Sequence, residues 1–185
     1  MAIDASTLPG EFLREIRALL GDETGAFLFA LEKESVHALR INALKPGAFE
    51  ASEAWADGPV PWEPLGRYVK QEARPGAALE HAAGAYYVQD ASAMAAVAAL
   101  APQPGWRVLD LCAAPGGKSG QIAARLGGSG LLISNEIDRG RCKVLKSTLE
   151  RLGAVNARVT NLSPADFAGL ENSFDALLVD APCSG

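Results

Sequence analysis

The chain has 185 residues, 49% of them hydrophobic and 21% charged, with a net charge of −5. This composition excludes a disordered polymer, and no apolar run reaches the length of a membrane span. The acidic balance argues against a non-specific polyanion binder, and three cysteines without close pairing (Cys112, Cys142, Cys183) argue against a disulfide scaffold or zinc site. A reduced, cytoplasmic setting is expected, and the amino terminus shows no signal pattern.

Residues Leu8–Leu20 read as a helix with Phe12, Ile16, Leu19 and Leu20 on one face, stopped by Gly21. A second helix is expected over Glu23–Leu31 and a strand over Ala38–Asn42. Residues 45–76 are rich in Pro and Gly, and only Ala51–Ala56 reads as a short helix among loops and short strands. Trp55 and Trp62 are expected to pack there. Tyr86–Gln89 reads as a strand. Asp90 is a good N-cap for the alanine-rich helix Ala91–Leu100.

Beyond Pro102–Gly105 the pattern becomes regular. Strands are expected at Arg107–Leu111, Leu131–Asn135, Ala157–Thr160 and Ala176–Asp180, with helices at Lys118–Leu126 and Arg139–Leu152. Strands alternating with helices predict a parallel sheet closed by right-handed crossovers. The fold class is therefore α/β: a partial Rossmann-like sheet with helices on both faces, preceded by a small α/β domain. The expected division is 1–75 for the small domain and 76–185 for the first half of the parallel-sheet domain.

The strand ending at Leu111 runs into Cys112-Ala113-Ala114-Pro115-Gly116-Gly117-Lys118-Ser119. Strand, glycine turn and helix in this order build a ligand site beyond the strand's carboxyl end. Glu136 lies twenty residues after Gly116 and ends the next strand, which suits a carboxylate bound to ribose hydroxyls. A phosphate loop needs a glycine where Cys112 stands, and the dinucleotide spacing is absent. S-adenosyl-L-methionine fits best, because it has no phosphate and needs close backbone approach and an acid. A tight turn that binds nothing is the plainer alternative.

Cys183 follows Pro182 at the end of the last expected strand. Carbon 5 of cytosine is a poor nucleophile, and a thiolate adding at carbon 6 makes it electron-rich enough to accept a methyl group. Asp180 is placed to orient the cytosine amino group or the cofactor. Against this stands the common fate of cysteine as a buried apolar residue. Cys112 and Cys142 are expected to be structural, the latter in the core beside Val144, Leu145 and Leu149.

Three segments in this order, LDLCAAPGGKS, NEID and DAPCSG, resemble the bacterial ribosomal RNA cytosine-C5 methyltransferases of the Sun/RsmF type. YYVQDASAM (Tyr86–Met94) resembles the family's lead-in segment, and FLFALEKESVHALRINALK its small amino-terminal domain, thought to help hold RNA. The resemblance implies a donor site formed by Cys112–Lys118, Glu136, Asn161 and Asp180; Asn161 stands where relatives often carry an acid. It implies that Cys183 assists product release, with the attacking thiol in a later threonine-cysteine motif that this chain lacks. DNA cytosine methyltransferases attack with the Pro-Cys thiol instead, so the role of Cys183 stays open. The chain thus reads as an amino-terminal fragment, expected to be inactive alone.

The expected partner is ribosomal RNA, with no membrane contact. Arg139, Arg141, Lys143, Lys146 and Arg151 read as a solvated helix face rather than an RNA contact. One of Tyr86 and Tyr87 is expected in the core, the other free to stack a base. His37 and His81 receive no role. Ala176–Asp180 is expected at the sheet edge beside the strand ending at Leu111, which predicts self-association through it. A non-catalytic RNA-binding module with a vestigial donor pocket is the second functional reading, and a phosphate-ligand enzyme the third.

Overall fold

The computed structural model describes residue 4 and residues 7–33 and 35–181, which fall into two units divided after Val36. The first unit holds α1 (Gly10–Leu20) and α2 (Thr24–Leu31), joined by a 3-10 turn at Gly21–Glu23. Gly21 ends α1 with φ at +51°, its N–H bonded to Arg17 O. The half-buried stripe of α1 is Phe12, Leu13, Ile16 and Leu20. Leu19, expected in that stripe, is 79% exposed. The covered face is turned toward Leu13.

The second unit opens with an antiparallel sheet of β1 (Ala38–Ile41), β2 (Ala56–Val60), β3 (Glu63–Val69) and β4 (Tyr86–Val88), ordered β2-β3-β1-β4. Every residue of β1 is buried, because the strand is covered on both sides. Leu39 and Ile41 point into one core with Ala48, Val69, Ala85 and Tyr86. Their neighbours Ala38 and Arg40 point the opposite way, as strand alternation requires. Ala38 packs with Val60 and Met94. Trp55 packs against the first core, whereas Trp62 stays 43% exposed and donates its indole N–H to Ala91 O.

Between these strands lie α3 (Ala48–Glu53) and α4 (Leu79–Ala82). The helix expected at Ala51–Ala56 starts earlier, because Gly47 turns the chain into it with φ at +71°. From Ala56 the chain is already in β2. Asp90 occupies the N-cap of α5 (Ala91–Leu100) with extended backbone, yet its side chain makes no capping bond.

The parallel sheet follows: β5 (Arg107–Asp110), α6 (Gly117–Arg125), β6 (Leu131–Asn135), α7 (Arg139–Leu152), β7 (Ala157–Thr160) and β8 (Ala176–Leu178). Its order is β7-β6-β5-β8, so β5 is flanked by β6 and β8, both parallel to it. The parallel sheet flanked by helices is the α/β architecture expected from the alternation. Val108, Leu132 and Leu178 form its core with Val97 of α5 and Ile122, Ala123 and Leu126 of α6. Leu145 and Leu149 of α7 pack on Ala113 and Ala114. Residues of the opposite strand face, Arg158 and Leu177, remain exposed, and the connection between β7 and β8 carries only a 3-10 turn, Pro164–Phe167. Cys142, expected in the core, is only half-buried, and its neighbour Val144 is 52% exposed; the buried stripe of α7 runs through Leu145, Thr148, Leu149 and Leu152.

Polar side chains tie the two sheets of this unit together. Asn42 Nδ2 donates to Gly84 O and to Leu152 O, both at 2.8 Å. Glu63, 2% exposed, accepts from Arg125 at 2.8 Å and from Gln121 of α6. Breaking such a buried pair by losing one partner costs about 3–5 kcal/mol, which fixes α6 against β3.

Candidate active site

The chain leaves β5 at Asp110 and turns through residues 112–116 into α6. Gly116 takes φ of +109°, a conformation open to glycine and costly for other residues. A Cβ there would also lie 2.9 Å from Thr148 Cγ2. The helix that follows has no side-chain cap, so its first N–H groups have no side-chain partner.

Asp110, 1% exposed, braces this turn from below. Its Oδ2 accepts from Ser119 Oγ at 2.6 Å, and Ser119 Oγ lies 2.8 Å from Ser134 Oγ on β6. Asp110 Oδ1 is buried and has no partner among the described residues. Burial raises its pKa to about 6, against the opposing pull of the Ser119 hydrogen bond and the Lys118 charge.

A cleft of about 350 Å³ opens above the turn. One wall is the turn itself: Cys112, Ala113, Ala114, Pro115, Gly117 and Lys118. Asp180, just past β8, joins them because β5 and β8 are neighbours. Lys118 Nζ lies 2.5 Å from Asp180 Oδ2. The facing wall comes from β1, β4 and the start of α5, with His37, Tyr87, Val88, Gln89, Asp90 and Ala93. Sequence reasoning missed most of that wall. Its only signal was the lead-in segment Tyr86–Met94, where the motif gave no role to Gln89.

Glu136 and Asn161 stand outside the lining of this cleft. Glu136 is 3% exposed, and its carboxylate takes Asp138 N–H at 2.9 Å. Arg141 bridges it to the turn, with Nη1 at 3.4 Å from Glu136 and Nη2 donating to Ala114 O at 2.8 Å. The amide N–H groups of Asn161 go to Glu136 O and Ile137 O, at 2.7 and 2.9 Å, leaving Oδ1 to offer. Asn161 borders a second groove along β7 with Cys142 and Val159. Gly116 is buried behind the cleft wall, and Cys183 lies outside the described residues.

The helix bearing Arg141 is not a uniformly solvated face. Arg151 donates to His81 O and stands 5.8 Å from the Tyr87 ring, which Arg40 approaches at 5.9 Å from another element. Tyr86 is fully buried, so Tyr87 is the tyrosine at the cleft. Arg40 is itself buried and donates to Gln89 and Gly117. Burial pulls its pKa down to about 10, still far above neutrality. The Cys112 thiol is pushed up by burial and by the negative charges of Glu136, Asp110 and Asp180, so it stays protonated at neutral pH.

A family model described as the N-terminal domain of 16S rRNA methyltransferase RsmF matches residues 8–91, and one described as 16S rRNA methyltransferase RsmB/F matches residues 97–185. The chain belongs to the RsmB/F methyltransferase family. Among the curated RsmB/F relatives, ribosomal RNA small subunit methyltransferase F of Enterobacter sp. (strain 638) is 38% identical over the whole chain. Its namesake in Klebsiella pneumoniae (strain 342) is also 38% identical. The chain spans 42% of the length of each. A solved methyltransferase homolog from Pyrococcus horikoshii superposes with a TM-score of 0.84 at 29% identity, covering 97% of this chain and 61% of that one. Among the described residues, no helix of this RsmB/F chain is long and apolar enough to cross a membrane.

Proposed function

We propose that this chain contributes the donor half of an enzyme that methylates carbon 5 of a cytosine in small-subunit ribosomal RNA, using S-adenosylmethionine. One observation carries this reading: the glycine turn after β5 and Asp180 after β8 line a single cleft at the carboxyl ends of adjacent parallel strands. Ligands of open α/β sheets bind in that crevice.

The residues suit a donor without phosphates. Lys118, which a phosphate-binding loop would keep free for its ligand, is matched by Asp180. The uncapped start of α6 offers N–H groups to the methionine end. Backbone from Cys112 to Lys118 would hold that end, Glu136 the ribose, and Asn161 Oδ1 the adenine side. When bound, S-adenosylmethionine supplies an electrophilic methyl group on its sulfonium sulfur. Asp180 orients the cytosine amino group, and Lys118 holds Asp180 in place. Cys183 follows Asp180 by three residues, a reach of about 10 Å at most. It supplies thiol chemistry at carbon 6, either attacking the ring or assisting product release.

The small domain, residues 1–75, is the proposed RNA-holding part; its strands β1, β2 and β3 pair in the antiparallel sheet. A cytoplasmic location goes with free thiols at Cys112 and Cys142. β8 is the outermost strand among the described residues and Leu177 on it is 52% exposed, so we also propose pairing of two copies along β8, which light scattering showing only monomer would refute. Bisulfite mapping of small-subunit RNA, from cells with and without the parent gene, tests the function. Loss of one 5-methylcytosine supports it; an unchanged map refutes it.

A further inference from the structure

The amide of Gln89 is held in one orientation. Arg40 Nη1 donates to Gln89 Oε1 and, at 2.9 Å, to Gly117 O. A guanidinium has donors only, so the amide must turn its oxygen to Arg40 and its NH₂ away. Arg40 cannot swing out, being 3% exposed with the Tyr87 ring beside it. Gln89 is 9% exposed, borders the cleft, and its Nε2 has no hydrogen-bond partner among the described residues.

That Nε2 sits over the start of α6, where a Cβ on Gly117 would lie 3.4 Å from it. The helix there has nine residues and no side-chain cap. Amide NH₂ and helix N–H groups therefore present donors to the same corner. The Nε2 donor opens to the cleft, and a negatively charged oxygen bound there makes the strongest hydrogen bond to it.

We propose that Gln89 donates a hydrogen bond to the carboxylate at the methionine end of the methyl donor, and that Arg40 is the positioning residue that aims its amide. The proposal rests on the donor-binding reading above, and it names a contact that neither the glycine turn nor the acidic ribose partner supplies. Arg40 lies on the antiparallel sheet, so this sheet helps define the donor pocket of the parallel one.

Calorimetric titration with S-adenosylhomocysteine, which carries the carboxylate, and 5′-methylthioadenosine, which lacks it, tests the contact. Gln89→Met is expected to weaken S-adenosylhomocysteine about tenfold and methylthioadenosine by less than about twofold. Gln89→Glu keeps an acceptor for Arg40, so its melting temperature holds, yet it loses S-adenosylhomocysteine at least as strongly. Arg40→Met frees the amide and weakens the same ligand, and the double variant is no weaker than Gln89→Met alone. Equal losses for both ligands, no loss in the Gln89 variants, or additive losses in the double variant overturn the proposal. Should Arg40→Met not fold, the two Gln89 variants decide. A wild-type chain that binds neither ligand refutes the donor-binding reading and this contact with it. Wild-type binding that Gln89→Met leaves unchanged refutes the contact alone.

Discussion

Lys118 Nζ meets Asp180 Oδ2 at 2.5 Å, joining the first turn of α6 to the segment just past β8. The lysine side chain is 20% exposed and the aspartate 57%. A pair this open to water is worth about 1 kcal/mol or less to folding. Lys118→Met is therefore expected to leave the urea midpoint almost unmoved. On the proposed function, methyl transfer to ribosomal RNA by the full-length protein should fall on the order of 10²-fold, the scale of losing one oriented polar group at a reacting centre. Matched small losses in both would mean the pair is only structural.

Gly116→Ala tests the turn. The new Cβ meets Thr148 Cγ2 at 2.9 Å while the backbone stays at φ of +109°. Backbone strain and overpacking together are expected to cost about 2–4 kcal/mol. Denaturant melts that show no loss would mean the turn has another low-energy shape.

The sequence made the parallel half readable because its signals are local. Leu131–Asn135, Arg139–Leu152 and Ala157–Thr160 have the bounds expected, set off by Gly130, Asp138 and Gly153. Asp138 accepts from Arg141 N–H as a true cap, and Gly153 ends the helix with φ of +75°. The β2–β3 hairpin was hidden because Pro59, Pro64 and Gly66 read as loop residues. At the site, the glycine turn is a fixed spacing and could be read. The facing wall could not, because β4 reaches the turn only through pairing with β1. Arg40 looks like any charged residue in a short strand until the start of α6 covers it. The same long-range packing recruits Arg141 and Arg151 from a helix face that alone reads as solvated.

Asp110 makes a pH prediction. Its pKa rises from 3.8 to about 6 on folding, mainly through burial. The folded state thus holds the proton more tightly than the unfolded chain, and stability falls as pH rises from about 4 through 6. The loss at neutral pH is on the order of 2–3 kcal/mol. Asp110→Asn keeps an oxygen for Ser119 and removes the charge. It is expected to flatten the urea midpoint between pH 4 and 7 and to match or exceed wild type at pH 8. A variant with the wild-type slope would show that another group carries it.

Cys112 is held as a thiol by burial and by surrounding negative charge. At pH 7.5 its alkylation by iodoacetamide, followed by peptide mass, should be slower than that of a free cysteine peptide. Cys112→Ala should keep donor binding within about threefold, since it removes no ionised group. Fast alkylation, or lost binding, would assign the thiol a chemical part.

The central claim is that the crevice between the residue 112–118 turn and Asp180 receives S-adenosylmethionine. Calorimetric titration of the chain with S-adenosylhomocysteine, alongside ATP, tests it most directly. The account predicts saturable binding of one S-adenosylhomocysteine per chain and no heat with ATP. Binding of ATP without S-adenosylhomocysteine, or of neither, would contradict it.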